Sequence, residues 1–275
     1  MTASDYALGT SPTAQRRLSL QGELFADASE QLLDRLGLEP RDRVVELGCG
    51  SGDFSRRVLD RLGPGGVLVG VDYSPEMLDE AARQLGRAGS SRFEPVTADI
   101  RDLGDWLDQA DAVVSRTALH HVPMVETLIG RLGDRLPAGT RIGFLEPEFR
   151  LPSATLARQI AAGRDELLPL VAWARSISTY YQGLGLSPTI GAGLAGTLAA
   201  AGFEDIEATL HTFPAGRLAL DNILLFYDEI RERYIELEIM TADELDEQKR
   251  LVEGLRDTEL PPAWGLYQVT AVAGH

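Results

Sequence analysis

A glycine-rich turn between an apolar run and a helical pattern is the feature that most constrains this chain. Residues 44–54 read Val-Val-Glu-Leu-Gly-Cys-Gly-Ser-Gly-Asp-Phe, with glycines at every second position from 48 to 52. Glycine has no Cβ, so three alternating glycines let the backbone turn sharply and lie against a ligand. The helix predicted from Asp53 to Leu62 directs its first N–H groups at the same place. This pattern predicts a parallel α/β sheet with a ligand site at the carboxyl end of its first strand.

Three acidic residues near the predicted strand ends indicate which ligand the turn binds. Glu46 lies two residues before the first glycine, where a carboxylate disfavours pyrophosphate and favours a cationic or amine-bearing group. Asp72 follows the second predicted strand, where an acid accepts hydrogen bonds from the two hydroxyls of a ribose. Asp99 follows the third strand, where it can accept from the amine of an adenine. Together the three acids predict S-adenosylmethionine rather than NAD.

Five segments carry a resemblance to a known family. They read Glu-Leu-Gly-Cys-Gly-Ser-Gly at 46–52, Gly-Val-Asp-Tyr-Ser-Pro-Glu-Met-Leu at 70–78, Thr-Ala-Asp at 97–99, Ala-Val-Val-Ser-Arg-Thr-Ala-Leu-His-His-Val at 112–122 and Leu-Pro-Ala-Gly-Thr at 136–140. In this order they resemble the class I S-adenosylmethionine-dependent methyltransferases, of the small-molecule type that includes the ubiquinone and menaquinone C-methyltransferases. The resemblance implies a seven-stranded sheet whose last strand runs antiparallel between its neighbours.

Alternating strand and helix patterns predict an α/β fold: a Rossmann-like, seven-stranded, mostly parallel sheet with helices on both faces and a helical cap. A short helix is expected near 104–109 and a longer one at 123–135. The predicted organisation comprises an N-terminal helical arm or lid at 1–39, the S-adenosylmethionine-binding core at 40–148, a helical cap insertion at 149–187, more core at 188–213, a second helical insertion at 214–262 and a final core strand at 263–275.

Further residues are predicted to contact the cofactor beside the turn. Tyr73 and Met77 can pack on the adenine, although a methionine at helical spacing is often a core residue. Arg17 and Gln21 on the arm can hold the methionine carboxylate, with a solvated helix face as the alternative. The complete predicted set is Glu46, Gly48, Gly50, Asp72, Tyr73, Met77, Asp99, Ile100, Ser115, Arg17 and Gln21.

Two adjacent histidines are candidates for catalysis. His120 and His121 follow the fourth predicted strand, where the transferable methyl group is expected. Histidine suits proton removal near neutral pH, and a histidine base would give turnover an apparent pKa of about 6.5. The alternative is that either residue packs on the sheet or caps a helix. Tyr6, Tyr180 and Tyr181 are expected to line the substrate chamber, with packing as their alternative.

Composition excludes several classes of function. The net charge of −16 argues against binding nucleic acid, whose phosphates are met by Lys and Arg. The single cysteine, Cys49, excludes an internal disulfide and a multi-cysteine metal site, and no metal is expected. Neither a run of 18 apolar residues nor a secretory signal is present, so a cytoplasmic protein without a membrane partner is expected.

Two readings of the function remain. The first is methyl transfer to a small acceptor, an apolar or aromatic metabolite of secondary metabolism, at an oxygen, nitrogen or carbon atom. The second is a protein of the same fold that binds S-adenosylmethionine without transferring its methyl group, either a cyclase or decarboxylase or a binding module. A short-chain nicotinamide oxidoreductase is disfavoured because its Tyr-x-x-x-Lys pattern is missing around Lys249, the single lysine.

Overall fold

A seven-stranded sheet organises the chain, which is described by a computed structural model over residues 11–86, 92–149, 153–214 and 216–274. Its strands are β1 (Arg43–Leu47), β2 (Val67–Asp72), β3 (Arg92–Thr97), β4 (Ala112–Arg116), β5 (Arg141–Glu148), β6 (Phe203–Pro214) and β7 (Pro262–Ala273). The strand order is β3-β2-β1-β4-β5-β7-β6. Strands β1 to β5 pair in parallel, whereas β7 is antiparallel to both β5 and β6. The predicted fold class, including the antiparallel last strand between its neighbours, is confirmed.

Helices connect the strands and extend beyond them. They are α1 (Pro12–Leu24), α2 (Ala26–Leu36), α3 (Asp53–Arg61), α4 (Pro75–Leu85), α5 (Val125–Arg135), α6 (Ala154–Ala161), α7 (Leu168–Gly183), α8 (Ile190–Ala200), α9 (Arg217–Glu236) and α10 (Ala242–Glu253). Successive strand residues alternate between the two faces of the sheet. Val44 packs with α2, α3 and α4, and Val45 packs with α5 and α8 on the opposite face. The apolar strand cores are therefore buried on both sides.

A separate aromatic core lies above the sheet. It is formed mainly by α7, α9 and α10 and contains four fully buried tyrosines, namely Tyr180, Tyr181, Tyr227 and Tyr234. Helices α6 and α7 fall within the first predicted insertion, and α9 and α10 within the second. The predicted segment boundaries themselves stay a prediction. None of the helices in the described ranges is long and apolar enough to cross a bilayer.

Two predicted helices differ from the observed elements. The segment near 104–109 forms a 3-10 turn at Asp105–Leu107, because Asp108 has an extended ψ of 140° and Gln109 a left-handed φ of 60°. The helix predicted at 123–135 begins at Val125. A 3-10 turn at Leu119–His121 precedes it and ends at Val122, which has an extended ψ of 116°. Val122 precedes a proline, and a following proline disfavours helical ψ.

The glycine turn packs tightly against the turn that follows β4. Gly48 has a φ of +72°, and a Cβ added there would lie 2.4 Å from the Cβ of Ala118. Its backbone N–H donates to the carbonyl oxygen of Val71 at 2.8 Å. Glycine is therefore required at this position for both backbone conformation and space.

Replacing Gly48 with Ala is expected to lower the free energy of unfolding by about 2–4 kcal/mol, because the new methyl group meets Ala118 in a strained backbone. Gly130, within α5, supplies the matched control, since an added Cβ there has nothing within 4 Å. Gly130→Ala is expected to raise the same free energy by up to about 1 kcal/mol. Urea unfolding followed by circular dichroism measures both, and equal changes in the two variants would contradict strain at Gly48.

Candidate functional site

A cavity opens at the carboxyl edge of the sheet. Its wall begins where β1, β2, β3 and β4 end, and includes residues 48–51, 72–73, 98–101 and 116–118. Parallel strands bring their carboxyl ends to one edge, which is where α/β sheets bind ligands. We call this space the first cavity.

Asp72 is fixed in the first cavity by two backbone amides. The N–H of Gly50 donates to Oδ2 at 2.9 Å, and the N–H of Ser74 donates to Oδ1 at 3.0 Å. Burial raises the pKa of Asp72, although both amide hydrogen bonds lower it. A carboxylate oxygen accepts more than one hydrogen bond, so each oxygen can also accept from a ligand hydroxyl.

Gly50 leaves open space beside this carboxylate. It lines the first cavity with a φ of +52°, and an added Cβ would meet nothing within 4 Å. The missing side chain therefore leaves room for a ligand to approach the backbone.

Glu46 is a buried acid in the wall of the first cavity. The Ser55 hydroxyl donates to its Oε2 at 2.6 Å. Burial raises the pKa of Glu46 to about 8, against the lowering effects of Ser55 and the Arg116 guanidinium. A carboxyl in this condition can bind a cation by releasing its proton.

Asp99 lies in the first cavity but is already paired. Arg101 donates to it from the guanidinium Nε at 3.0 Å and from the backbone N–H at 2.9 Å. The Arg101 side chain lowers the pKa of Asp99. Arg101 and Ile100 also line the cavity, so an adenine amine would share Asp99 with Arg101. Sequence analysis missed Arg101, although its place two residues after the acid was a visible signal.

Arg116 is a second arginine of this wall that was not among the predicted cofactor contacts. It lines the first cavity, and its Nη2 lies 2.6 Å from Oδ2 of Asp53. Its guanidinium stacks 5.2 Å from the ring centroid of Phe54.

The remaining predicted cofactor residues divide into two groups. Tyr73, Met77 and Gln21 line the first cavity. Ser115 is fully buried, is not part of the wall, and donates from Oγ to the carbonyl oxygen of Leu47 at 3.0 Å. Arg17 lies outside the first cavity and lines a second one. The cofactor contacts expected of Ser115 and Arg17 stay predictions.

A second cavity adjoins the first. Its wall comes from α1, α7, α9, β7 and the turn after β4, and is rich in aromatic rings: Phe25, Phe149, Trp173, Tyr181, Phe213, Phe226 and Trp264. Four residues belong to both walls, namely Leu18, Gln21, Thr117 and His121. A ligand in one cavity can therefore meet a ligand in the other.

Thr117 at this junction has an unusual backbone. Its φ is +52°, which is rare for a β-branched residue. Its N–H donates to the carbonyl oxygen of Leu145 at 2.8 Å, which holds the turn against β5. Strain of this kind persists where the surrounding structure holds it, and it clusters at functional sites.

Arg17 forms a buried ion pair between α1 and α9. Its Nε donates to Oε2 of Glu229 at 2.6 Å, and the two side chains are only 5% and 2% exposed. Its Nη1 donates to Gln21 at 3.1 Å. The guanidinium is thus engaged within the wall of the second cavity, which accounts for its absence from the first.

His120 is coupled to an acid that sequence analysis missed. Its Nδ1 lies 2.8 Å from Oε2 of Glu146 on β5. Burial and the nearby Arg17 guanidinium lower the pKa of His120 to about 3. Burial also lowers the pKa of His121 well below its usual value. The expectation of a free imidazole titrating near 6.5 is therefore corrected, since it took no account of burial.

Two of the tyrosines predicted to line the substrate chamber have different surroundings. Tyr181 lines the second cavity, whereas Tyr180 is fully buried and packs 5.4 Å from Tyr234 between ring centroids. Consecutive residues of a helix point about 100° apart, so both rings cannot face the same space. Tyr6 lies outside the described residues.

Groups suited to metal binding or nucleophilic attack are not prominent in the described part of the chain. Its His, Cys, Asp and Glu residues form no group of three placed to hold a metal ion. Cys49 lines the first cavity but is buried, and burial raises the pKa of its thiol.

Comparison with known proteins identifies this architecture. A family model described as a methyltransferase domain matches residues 45–142. Residues 45–142 are thus similar to that domain family. Together with the fold, the match confirms the predicted resemblance to class I methyltransferases.

Individual relatives match different shares of the chain. The trans-aconitate 2-methyltransferase of Mycobacterium tuberculosis is 39% identical over 132 residues, which are 48% of this chain and 47% of the relative. The chain thus spans about half the length of the curated relatives it matches.

Solved structures of the same fold cover more of this chain. The cyclopropane synthase MmaA2 of Mycobacterium tuberculosis has a TM-score of 0.57 at 17% identity, covering 90% of this chain and 83% of its own. Phosphoethanolamine N-methyltransferase 2 of Haemonchus contortus, in complex with S-adenosyl-L-methionine, has a TM-score of 0.56 at 16% identity, covering 90% and 53%.

Removing one partner of the Arg17–Glu229 pair is expected to lower the free energy of unfolding by about 3–5 kcal/mol, because a buried charge is left uncompensated. The double variant Arg17→Met/Glu229→Met is expected to cost less than the two single changes added together. The exposed pair Arg250–Glu247, with side chains 69% and 47% exposed, is the control. Its removal is expected to cost less than about 1 kcal/mol. Additive costs at Arg17 and Glu229 in a double-mutant cycle would contradict the coupling.

Proposed function

We propose that this chain transfers the methyl group of S-adenosylmethionine to a small apolar or aromatic acceptor. The observation that carries the proposal is the junction of the two cavities at Leu18, Gln21, Thr117 and His121. The first cavity has the groups that suit the donor, and the second has a wall that suits an apolar acceptor. The domain match over residues 45–142 supports the same reaction.

The residues of the first cavity fit S-adenosylmethionine. Asp72 offers lone pairs for two ribose hydroxyls, and the space beside Gly50 admits a ligand close to the backbone. Glu46 offers a carboxyl for the ligand's ammonium group. When bound, S-adenosylmethionine supplies a methyl group that is already activated for displacement. The chain holds the donor and the acceptor in alignment, which can lower the activation free energy by about 7–11 kcal/mol.

The second cavity favours an acceptor different from that of the curated relative. Trans-aconitate carries three carboxyl groups, and burying such charges without partners is costly. Among the described residues of this wall, Arg17 is the one permanent cation, and Glu229 neutralises it. The aromatic rings offer apolar contact instead. The acceptor we propose is therefore apolar or aromatic.

Product mass tests the proposal directly. Protein incubated with S-adenosylmethionine and fractionated extracts should yield a product 14 mass units heavier than its acceptor. Conversion of an acceptor without that gain would favour the cyclase or decarboxylase alternative, and binding without any conversion would favour a binding module. A cytoplasmic location, a role in secondary metabolism and the absence of nucleic-acid and membrane partners stay predictions.

S-adenosylmethionine and S-adenosylhomocysteine are expected to bind with micromolar affinity, whereas NAD and ATP are not, since the acids disfavour their phosphates. Ligand at about one hundred times its Kd should stabilise the fold by about 2.7 kcal/mol.

Asp72→Ala is expected to weaken binding roughly tenfold to a hundredfold, because hydrogen bonds to a charged group are lost. Asp79→Ala, an exposed change on α4, is the control. Calorimetry measures all four ligands, and unchanged affinity in Asp72→Ala would refute the ribose contact.

Binding of S-adenosylmethionine is expected to release a proton near pH 7. The raised pKa of Glu46, about 8, keeps its carboxyl protonated there, and an arriving cation favours the ionised form. Affinity should therefore increase by up to about tenfold per pH unit between pH 6 and 7.5. Calorimetry in two buffers of different ionisation enthalpy counts the protons. Glu46→Gln should abolish the release, and identical release in this variant would assign the proton to another group.

A further inference from the structure

We propose that His120 is the general base of the transfer, that Glu146 is its positioning residue, and that the acceptor therefore reacts through a hydroxyl oxygen. This inference rests on the proposed function and specifies the acceptor class for the same site. Its basis is the set of contacts around a fully buried carboxyl on β5.

Four nitrogen atoms converge on the Glu146 carboxyl. The backbone N–H groups of Ala118 and Leu119 donate to Oε1 at 3.0 and 2.9 Å. The backbone N–H of His120 donates to Oε2 at 3.2 Å, and the ring Nδ1 of the same residue lies 2.8 Å from that oxygen. Three of these contacts are obligate donors, and they favour the ionised carboxylate. A carboxylate only accepts hydrogen bonds, so the proton of the His120 ring belongs on Nδ1.

This arrangement leaves Nε2 as the basic atom of the ring. His120 lines the second cavity, and its ring centroid lies 4.0 Å from that of His121, which lines both cavities. The His121 ring therefore lies between His120 and the junction of the two cavities. The backbone bonds to Glu146 also fix the turn that carries the ring, so one side chain sets both the tautomer and the position of the base.

The surroundings of the ring supply few charges. The titratable and charged groups around it are Glu146 on β5, Arg17 on α1 with its partner Glu229 on α9, His121 on the same turn and Tyr181 on α7. Burial lowers the pKa of His120 to about 3 and raises that of Glu146 to about 8. The coupled pair is expected to take up one proton as pH falls through about 8. A protonated Glu146 would donate to Nδ1, place the ring proton on Nε2 and remove the base.

The proposed step transfers one methyl group to the acceptor and one proton to His120. The acceptor oxygen forms a bond to the methyl carbon while the carbon–sulfur bond breaks, and that electron pair stays on sulfur. The hydroxyl proton passes to Nε2 of His120, and the Glu146 carboxylate stabilises the resulting imidazolium. An amine acceptor needs no such base if it arrives neutral, and for this reason the pair points to a hydroxyl.

The tautomer is tested in the full chain labelled with ¹⁵N-histidine, without any turnover. We expect the His120 ring to carry its proton on Nδ1 above pH 8, assigned by comparison with His120→Gln. In Glu146→Gln the amide can donate to Nδ1, so the ring proton should move to Nε2. A parent protein with the proton on Nε2 above pH 8 would overturn the inference. This readout does not depend on methyl transfer, so it separates failure here from failure of the proposed function.

The contact with a hydroxyl is tested with two matched probes. With S-adenosylhomocysteine present, 2-naphthol is expected to shift the His120 Nε2 resonance, whereas 2-methylnaphthalene, which lacks the hydroxyl, is not. No shift, or the same shift with both probes, would overturn the proposal.

Turnover gives the third readout, with the acceptor found by product mass. His120→Gln and Glu146→Gln are expected to lower kcat by about 10²–10⁴-fold with little change in the KM for S-adenosylmethionine. The kcat of the parent at saturating substrates should fall as pH drops below about 8. His211→Gln, on β6 and outside both cavity walls, is the matched control and should keep the parental kcat.

Loss of folding is separated from loss of the base by melting curves. His120→Gln keeps the backbone bonds to Glu146 and is expected to fold like the parent. Glu146→Gln is expected to melt lower, because its amide N–H₂ meets the backbone N–H of His120. Parental kcat in a folded His120→Gln protein would overturn the assignment.

Discussion

Hydrogen bonds from backbone amides to two buried carboxyls fix the turns that form the walls of the two cavities. The amides of Gly50 and Ser74 fix Asp72 after β2, and the amides of the turn after β4 fix Glu146 on β5. Each acid connects a strand end to a neighbouring turn. These hydrogen bonds restrain the carboxyl edge of the sheet, which suits the alignment of donor and acceptor in the proposed function.

Two buried glutamates make the stability of this site depend on pH. Burial raises the pKa of both Glu46 and Glu146 to about 8, so each costs stability when it ionises without a partner. Because their folded-state pKa values lie above the unfolded value, the apo fold loses their contribution as pH rises from about 4.5 towards 8. A bound cation beside Glu46 reverses this effect for that residue. Under the proposed function, ligand binding and folding are therefore linked through Glu46.

Sequence reasoning recovered the sheet and the first cavity because their signals are local. Strand periodicity, the alternating glycines and the acids at strand ends lie within short segments, and the parallel topology then brings them to one edge. The second cavity depended on contacts that span the chain. Glu146 meets the turn 26 residues before it, and Arg17 meets Glu229 across 212 residues. Tyr180 and Tyr181 face different surroundings because consecutive residues of α7 point in different directions. The lowered pKa of His120 depends on how deeply the ring is buried, which short sequence segments do not show.

The two cavities take their walls from different parts of the chain. Apart from Leu18 and Gln21, the first cavity is built within residues 45–142, the segment that matches the domain family. The second takes only Thr117, His120 and His121 from that segment and otherwise uses the arm, the cap helices and the last strands. Under the proposed function, the donor site and the acceptor site are thus encoded in separable stretches of sequence. Substitutions in the cap would then alter the acceptor and leave the donor site intact.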